Sequence, residues 1–400
     1  MGWQKWIEPC AAVLQGNQIE SHGYRYTRPA PHVYEYQWLW DSCFHAISYR
    51  WFDVVMARDE LLSLCAGQIK EGSDAGMIPH MIYWNDEGTA LWQRPRQSVI
   101  TQPPLIAVAA KLVYESQPDE DFLRKIWPAQ VAFHDWMDRR RDPDGDGLVA
   151  LIHPWEAGCD ASQRWDGPLG LKNPTPDETK AARHGLVAKL IEQDCDPVVL
   201  AEQGLFHVEA IDFNAVRVAD LECMAWMAEV LGEDASIWQE RADRVRAAIQ
   251  AKCIFEDGIF DLDGLDETPV KVDSFAPFYL LFGGCVDEAT AAKLVSQLTD
   301  ESRFWPRYPI PTTPINDPAY SPGDYWRGNV WPSVNWLIYQ GLRRYGYTDI
   351  ARELTVRNRD LIAENGFYEY YDPQTGQGHG AAQQSWATVV LDMLATEDLE

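Results

Sequence analysis

An all-α fold, an (α/α)6 barrel built as a toroid of inner and outer helices, is what this chain predicts, and three observations predict it. Apolar residues recur at helical spacing along most of the 400 residues. Segments apolar on several sides alternate with segments carrying a single apolar stripe, as inner and outer helices of a ring require. Strand signals are few, and no fixed repeat of roughly 30–45 residues recurs, which sets aside a helical solenoid.

The elements follow in order. An irregular Tyr/Pro-rich run extends from Tyr24 to Tyr36. Tyr36-Gln37-Trp38-Leu39-Trp40-Asp41 then opens a helical pattern through Tyr49 and Trp51. Asp41 either caps that helix and complements its dipole, or grips sugar hydroxyls beside Trp38 and Trp40. Leu61, Leu62, Cys65 and Ile69 mark the next helix, and a loop over 72–92 carries His80, Tyr83 and Trp84. Ile100-Thr101-Gln102-Pro103-Pro104 leads into an apolar helix through Leu112. Phe122, Ile126, Phe133 and Met137 form the stripe of another, closed by Arg139, Arg140 and Arg141.

Asp142-Pro143-Asp144-Gly145-Asp146-Gly147 imitates the first half of a calcium loop, but His153 stands where such a loop needs a bidentate Glu. A tight turn feeding a strand over 148–152 is expected there, with no metal and no cofactor. The polar, proline-containing segment 167–208, with one helical patch over 180–191, reads as an excursion capping the barrel mouth. Residues 1–166 and 209–400 make the barrel. Its later pairs are 209–231 with 235–253, 270–282 with 287–298, and 330–345 with 349–362, before a last apolar helix over 384–394.

Composition narrows the partners. A formal charge of -27 argues against nucleic acid and anionic membranes, and requires an anionic small substrate to find its own local basic group. No apolar run is long enough to span a membrane. The start, Met1-Gly2-Trp3-Gln4-Lys5-Trp6, lacks a secretory pattern, and eight scattered cysteines fit a reducing, cytoplasmic setting. Eighteen tryptophans and seventeen tyrosines suit either a stacking pocket or an aromatic helical core.

Chemistry concentrates in three loops. In 153–166, His153-Pro154-Trp155-Glu156-Ala157-Gly158-Cys159-Asp160-Ala161-Ser162-Gln163-Arg164-Trp165-Asp166, acids stand among indoles. Indole faces stack on pyranose rings, and a desolvated carboxyl gains the raised pKa of a general acid. Glu156 and Asp160 are rival acids on that reading. Tyr320 to Asn329, with Tyr325, Trp326 and Arg327, and Gly366 to Pro373, with Glu369, also combine carboxylates with aromatics.

Together these segments resemble glycoside hydrolase family 63, α/α-barrel inverting α-glycosidases, and within it the bacterial mannosylglycerate and glucosylglycerate hydrolase branch. The likeness runs from Tyr36-Gln37-Trp38-Leu39-Trp40-Asp41 to Gln384-Ser385-Trp386. It implies that Asp160 is the general acid, with Ala157 departing from the family's Ser, and that Glu369 is the general base. It implies a sugar subsite of Trp40, Asp41 and Gln102, completed by Tyr325, Trp326, Arg327, Trp331 and Gln384. Tyr36, Trp38, Tyr83 and Trp155 are added as neighbouring aromatics. For a glycerate carboxylate the candidates are Arg164, Arg183 and Lys180. A trehalase would carry Gln-Trp-Asp-x-Pro where Tyr325-Trp326-Arg327-Gly328 stands. The expected activity is hydrolysis of a small α-glucoside or α-mannoside. A sugar 2-epimerase using His80, His153 or His379 and a non-catalytic sugar-binding barrel are the alternatives.

Overall fold

The computed structural model describes residues 2–84 and 89–399. Its first helices are α1 (Ile7–Gly16), α2 (Leu39–Tyr49), α3 (Val54–Ala66), the single turn α4 (Thr89–Trp92), α5 (Ile106–Ser116) and α6 (Glu120–Arg140). Then come α7 (Pro176–Glu192), α8 (Pro197–Glu202), α9 (Ile211–Leu231), α10 (Ser236–Ala248) and α11 (Tyr279–Gly283). The last are α12 (Glu288–Leu298), α13 (Pro332–Arg344), α14 (Thr348–Asn365) and α15 (Val390–Thr396).

An inner ring closes on itself. Helix α2 packs on α5, α5 on α9, α9 on α11, and α11 on α13. Helix α13 then packs on the 3-10 turn Ser385–Val389 that leads into α15, and that turn returns to α2. Outside it, α3 lies on α2, α6 on α9, α10 on α9, α14 on α13, α12 on the turn Ala276–Phe278, and α1 on Ser385–Val389. This is the (α/α)6 barrel. The amphipathic contrast behind it is plain: every residue of α2 is buried, whereas α10 buries only Trp238, Ala242, Val245 and Ala248. Three of the outer helices, α3, α6 and α12, start on aspartate caps, with Asp53 accepting from Met56 N (3.0 Å), Asp119 from Phe122 N (3.1 Å) and Asp287 from Thr290 N (2.8 Å).

Three stretches differ from the expectation. The start of the chain is not irregular throughout: α1 is followed by a hairpin of Gln18–Ser21 with Tyr24–Thr27. Distant partners hold it, since Asn17 donates to the Gln383 carbonyl (2.9 Å) and Thr27 N to Glu60 (2.9 Å). The inner helix expected over 270–282 shrinks to Ala276–Gly283, because Thr268–Val270 is drawn into a small sheet ordered Thr268–Val270, Asp261–Asp263, Val208–Glu209, Ala150–Leu151. In 167–208 there are two helices rather than one patch; α7 begins on a reciprocal capping box of Thr175 with Glu178.

No helix among the described residues is long and apolar enough to cross a membrane.

Candidate active site

Loops at the starts of the inner helices converge on one small cavity of about 70 Å³. Trp38, Trp40 and Asp41 come from the start of α2, Gln102 from the approach to α5, and Gly158 and Asp160 from the loop after Ala150–Leu151. Tyr325 comes from the approach to α13, Glu369 from the strand Tyr368–Tyr371, and Gln384 and Trp386 from the start of the last inner segment. Pro29 and Tyr34 complete the lining.

Local geometry explains why the chain delivers Asp160 there. Gly158 sits at φ +76°, and a Cβ on it would stand 2.6 Å from the Trp40 ring. Only glycine lets the loop turn back against that indole. Enclosed by protein yet open to the cavity, Asp160 has its pKa pushed up to about 7. Burial is the main cause; the Arg183 guanidinium pulls it down and the Glu369 carboxylate pushes it up. Glu369 is buried and also raised, but donors oppose the rise. Ala381 N donates to its Oε2 (2.9 Å), Tyr34 OH to its Oε1 (2.7 Å) and Tyr325 OH to the same oxygen (3.4 Å). Tyr325 lines the same cavity and acts on Asp160 as well, so one phenol stands beside both acids. Asp41, fully enclosed, is raised well above its ordinary value by burial and then by Glu369. No side chain caps α2, so the capping reading of Asp41 gives way to the cavity.

The rivalry within 153–166 is resolved by partners. Glu156 is fully buried and gripped by Arg141 through two bonds (3.0 and 2.8 Å), with Ile152 N (2.7 Å) and Thr101 N (3.2 Å) filling its remaining sites. A carboxylate so fully engaged has no oxygen left for a substrate, and it is not part of the cavity's lining.

Several expected lining residues stand elsewhere. Arg164 is not at a carboxylate subsite: its guanidinium is sealed in the core between Asp212 and Asp261 and lies 4.3 Å above the Trp165 ring. Trp326 and Trp331 stack at 3.6 Å, and Trp331 stacks on Tyr370 at 4.7 Å, forming a wall one layer behind Tyr325. Arg327 spends its guanidinium on Asp166 (3.0 and 2.6 Å). Tyr36 and Tyr83 meet edge to face at 4.4 Å beyond Trp38, outside the lining. Trp155 packs on His153 (4.4 Å) and on His184 of α7 (5.3 Å), beneath the excursion. In each case a nearer partner claims the group.

Tyr34 and Pro29, which the sequence reading missed, fall in the Tyr/Pro-rich run, where no local pattern marks them. Trp386, of the Gln384-Ser385-Trp386 segment, also joins the lining. Among the described residues no histidine lines the cavity. His80 is bonded to Ser98, His153 to the Arg183 carbonyl, and His379 is stacked on Tyr370.

Residues 34–387 match the family model of the mannosylglycerate hydrolase MGH1-like glycoside hydrolase domain. The chain belongs to the MGH1-like glycoside hydrolase family. As a member, it is 34% identical over 415 aligned residues to a mannosylglycerate hydrolase of Thermus thermophilus, covering 94% of this chain and 97% of that one. It is 29% identical to a glucosylglycerate hydrolase of Mycolicibacterium hassiacum, covering 96% of each. The crystal structure of a Thermus thermophilus GH63 mannosylglycerate hydrolase in complex with Tris and D-glycerate aligns with TM-score 0.88 at 33% identity, over 98% of this chain and 100% of that one. The neutral trehalase Nth1 of Saccharomyces cerevisiae shares the barrel alone, with TM-score 0.62 at 17% identity. The protein is therefore a glycoside hydrolase of the family its loop motifs resemble.

Proposed function

We propose that this glycoside hydrolase cleaves an α-glucoside or α-mannoside of glycerate with inversion, Asp160 acting as general acid and Glu369 as general base. The observation that carries the substrate is Arg183. It is 8% exposed, its Nε and Nη1 have no partner among the described residues, and its charge acts directly on Asp160. An otherwise strongly anionic chain thus keeps one buried, uncommitted guanidinium beside the leaving-group acid, where a glycerate carboxylate would be received. The names of the relatives agree with such an aglycone.

In the proposed reaction the protonated Asp160 gives its proton to the glycosidic oxygen as the bond from that oxygen to the anomeric carbon breaks. Glu369 takes a proton from water, whose oxygen bonds to the anomeric carbon from the opposite face, so an α-glycoside releases the β-sugar. Asp160 and Glu369 open onto one cavity, as an inverting pair must, with a carboxyl spacing of roughly 6.5–9.5 Å leaving room for this water. Environments that raise Asp160 strongly, and supply Glu369 with three donors, divide the roles in the required direction. Asp41, Gln102 and Gln384 offer hydroxyl contacts, and Trp38, Trp40 and Trp386 offer apolar faces to the ring. Eight free cysteines, seven of them buried, suit a reducing compartment, and the cytoplasm is the proposed location. The segment 167–208, which brings Arg183, is proposed to act as the cap of the aglycone side.

Hydrolysis of mannosylglycerate, glucosylglycerate and the matching glycerol conjugates, followed by NMR, tests this. The first-formed anomer is expected to be β. Arg183→Ala is expected to raise KM for the glycerate conjugates about 10- to 100-fold, the loss of a charged hydrogen bond, while leaving the neutral conjugates nearly unchanged. Equal loss on both conjugates would remove Arg183 from the reading, and a first-formed α anomer would remove inversion.

A further inference from the structure

We propose that His153 is a positioning residue for Arg183, so that selectivity for an anionic aglycone depends on a buried imidazole that never touches the substrate. The proposal rests on the reading of Arg183 as the receiver of the glycerate carboxylate. His153 heads the loop that carries Asp160, and Arg183 lies in the middle of α7, 30 residues further along the chain.

The two ring nitrogens of His153 have separate tasks. Nδ1 lies 3.1 Å from Trp155 N and accepts its hydrogen, which caps the 3-10 turn Pro154–Ala157. A ring nitrogen that accepts carries no proton, so the hydrogen of the neutral imidazole sits on Nε2. Nε2 lies 2.9 Å from the Arg183 carbonyl oxygen and donates to it. The ring is fully buried, and burial holds its pKa down at about 3, so this neutral tautomer persists at neutral pH. One imidazole therefore ties the loop of the general acid to the backbone of the residue that faces the aglycone.

Helix α7 needs such a pin. Its buried residues are Thr179, Arg183, Leu186, Val187 and Leu190, so its apolar anchors all lie C-terminal to Arg183. Pro176, Asp177 and Glu178 at its start are exposed. Apolar contacts are non-directional and let a helix shift along its axis or turn about it, whereas a hydrogen bond to one carbonyl restrains both motions. The Trp155 ring flanks the bond, 4.4 Å from His153 and 5.3 Å from His184, the neighbour of Arg183. Nε and Nη1 of Arg183 have no partner among the described residues, so nothing at those atoms orients the guanidinium, and the held carbonyl fixes where its side chain begins.

Steady-state kinetics on mannosylglycerate and on the neutral glycerol conjugate test the pin. His153→Asn keeps an acceptor at the capping position, where Asn is among the best residues, but is too short to reach the Arg183 carbonyl. It is expected to raise KM for mannosylglycerate about 3- to 10-fold, the worth of one hydrogen bond, with kcat and the neutral conjugate nearly unchanged. His153→Gln extends an amide donor toward that carbonyl and is expected to recover most of the loss. In the Arg183→Ala background His153→Asn is expected to add less than about twofold, because a residue acting through another is not additive with it. An unchanged KM in His153→Asn, with Arg183→Ala still selective against the glycerate conjugate, would overturn the pin and leave the glycerate reading standing. A fall in kcat on both conjugates alike would assign His153 to the acid loop instead, and full additivity in the double variant would separate it from Arg183. Arg183→Ala without selectivity would remove the glycerate reading, and this proposal with it.

Discussion

Replacing Asp160 by Asn keeps the shape of the side chain while removing both its proton and its charge. Enclosure lifts the carboxyl from 3.8 to about 7. At about 1.36 kcal/mol per unit, ionising Asp160 in the folded protein costs about 4 kcal/mol more than in the unfolded chain. The sign follows from proton binding. Between pH 3.8 and about 7 the folded state holds a proton that the unfolded state has lost, so wild-type stability falls as pH rises through that window. The Asn variant lacks this penalty. Its stability advantage should grow from near zero around pH 4 to at most about 4 kcal/mol by pH 8, while kcat drops ~10²–10⁴-fold for want of the acid. Urea denaturation of both proteins at several pH values measures the first, and steady-state hydrolysis the second. The wild-type kcat/KM profile should lose activity on the alkaline side with a midpoint of about 7. If the two proteins lost stability in parallel from acid to alkaline pH, burial would not be what tunes Asp160, and its role as acid would lose its physical basis.

Tyr34→Phe removes the 2.7 Å bond to Glu369, which favours the charged carboxylate; the Glu369 pKa should rise and carry the acid limb of the pH-rate profile upward. An unmoved acid limb would show that another group titrates there. Glu156→Gln breaks the paired contact with Arg141 and strands a buried guanidinium, which should cost ~3–5 kcal/mol in denaturation measurements. Gly158→Ala forces a methyl group against Trp40 at a left-handed backbone position; more than ~1 kcal/mol of stability should be lost, with KM rising as the indole is displaced.

The barrel was legible because inner helices bury most of their circumference and outer helices a single stripe, a contrast written in consecutive residues such as those of α2 and α10. The loops that meet at the mouth were legible for a related reason. Carboxylates between aromatics, interrupted by Gly158 or Pro373, break the helical period of apolar residues. What could not be read was which charged group had already been claimed. Arg164 and Arg183 look alike in sequence, yet one is locked between Asp212 and Asp261 and the other keeps nitrogens unpartnered among the described residues. Glu156 and Asp160 share one short loop, and only Arg141, brought in from the end of α6, separates them.

Sequence alone therefore determined the helical ring, the loops that carry its chemistry and the family, since periodicity and motif spacing are properties of neighbouring residues. Tertiary structure decided which acid faces the cavity, that Tyr34 donates to Glu369, and that the Trp326–Trp331 stack is a wall rather than a lining. Those outcomes depend on partners tens to hundreds of residues away. A side chain's charge state and reach are set by what the folded chain brings beside it.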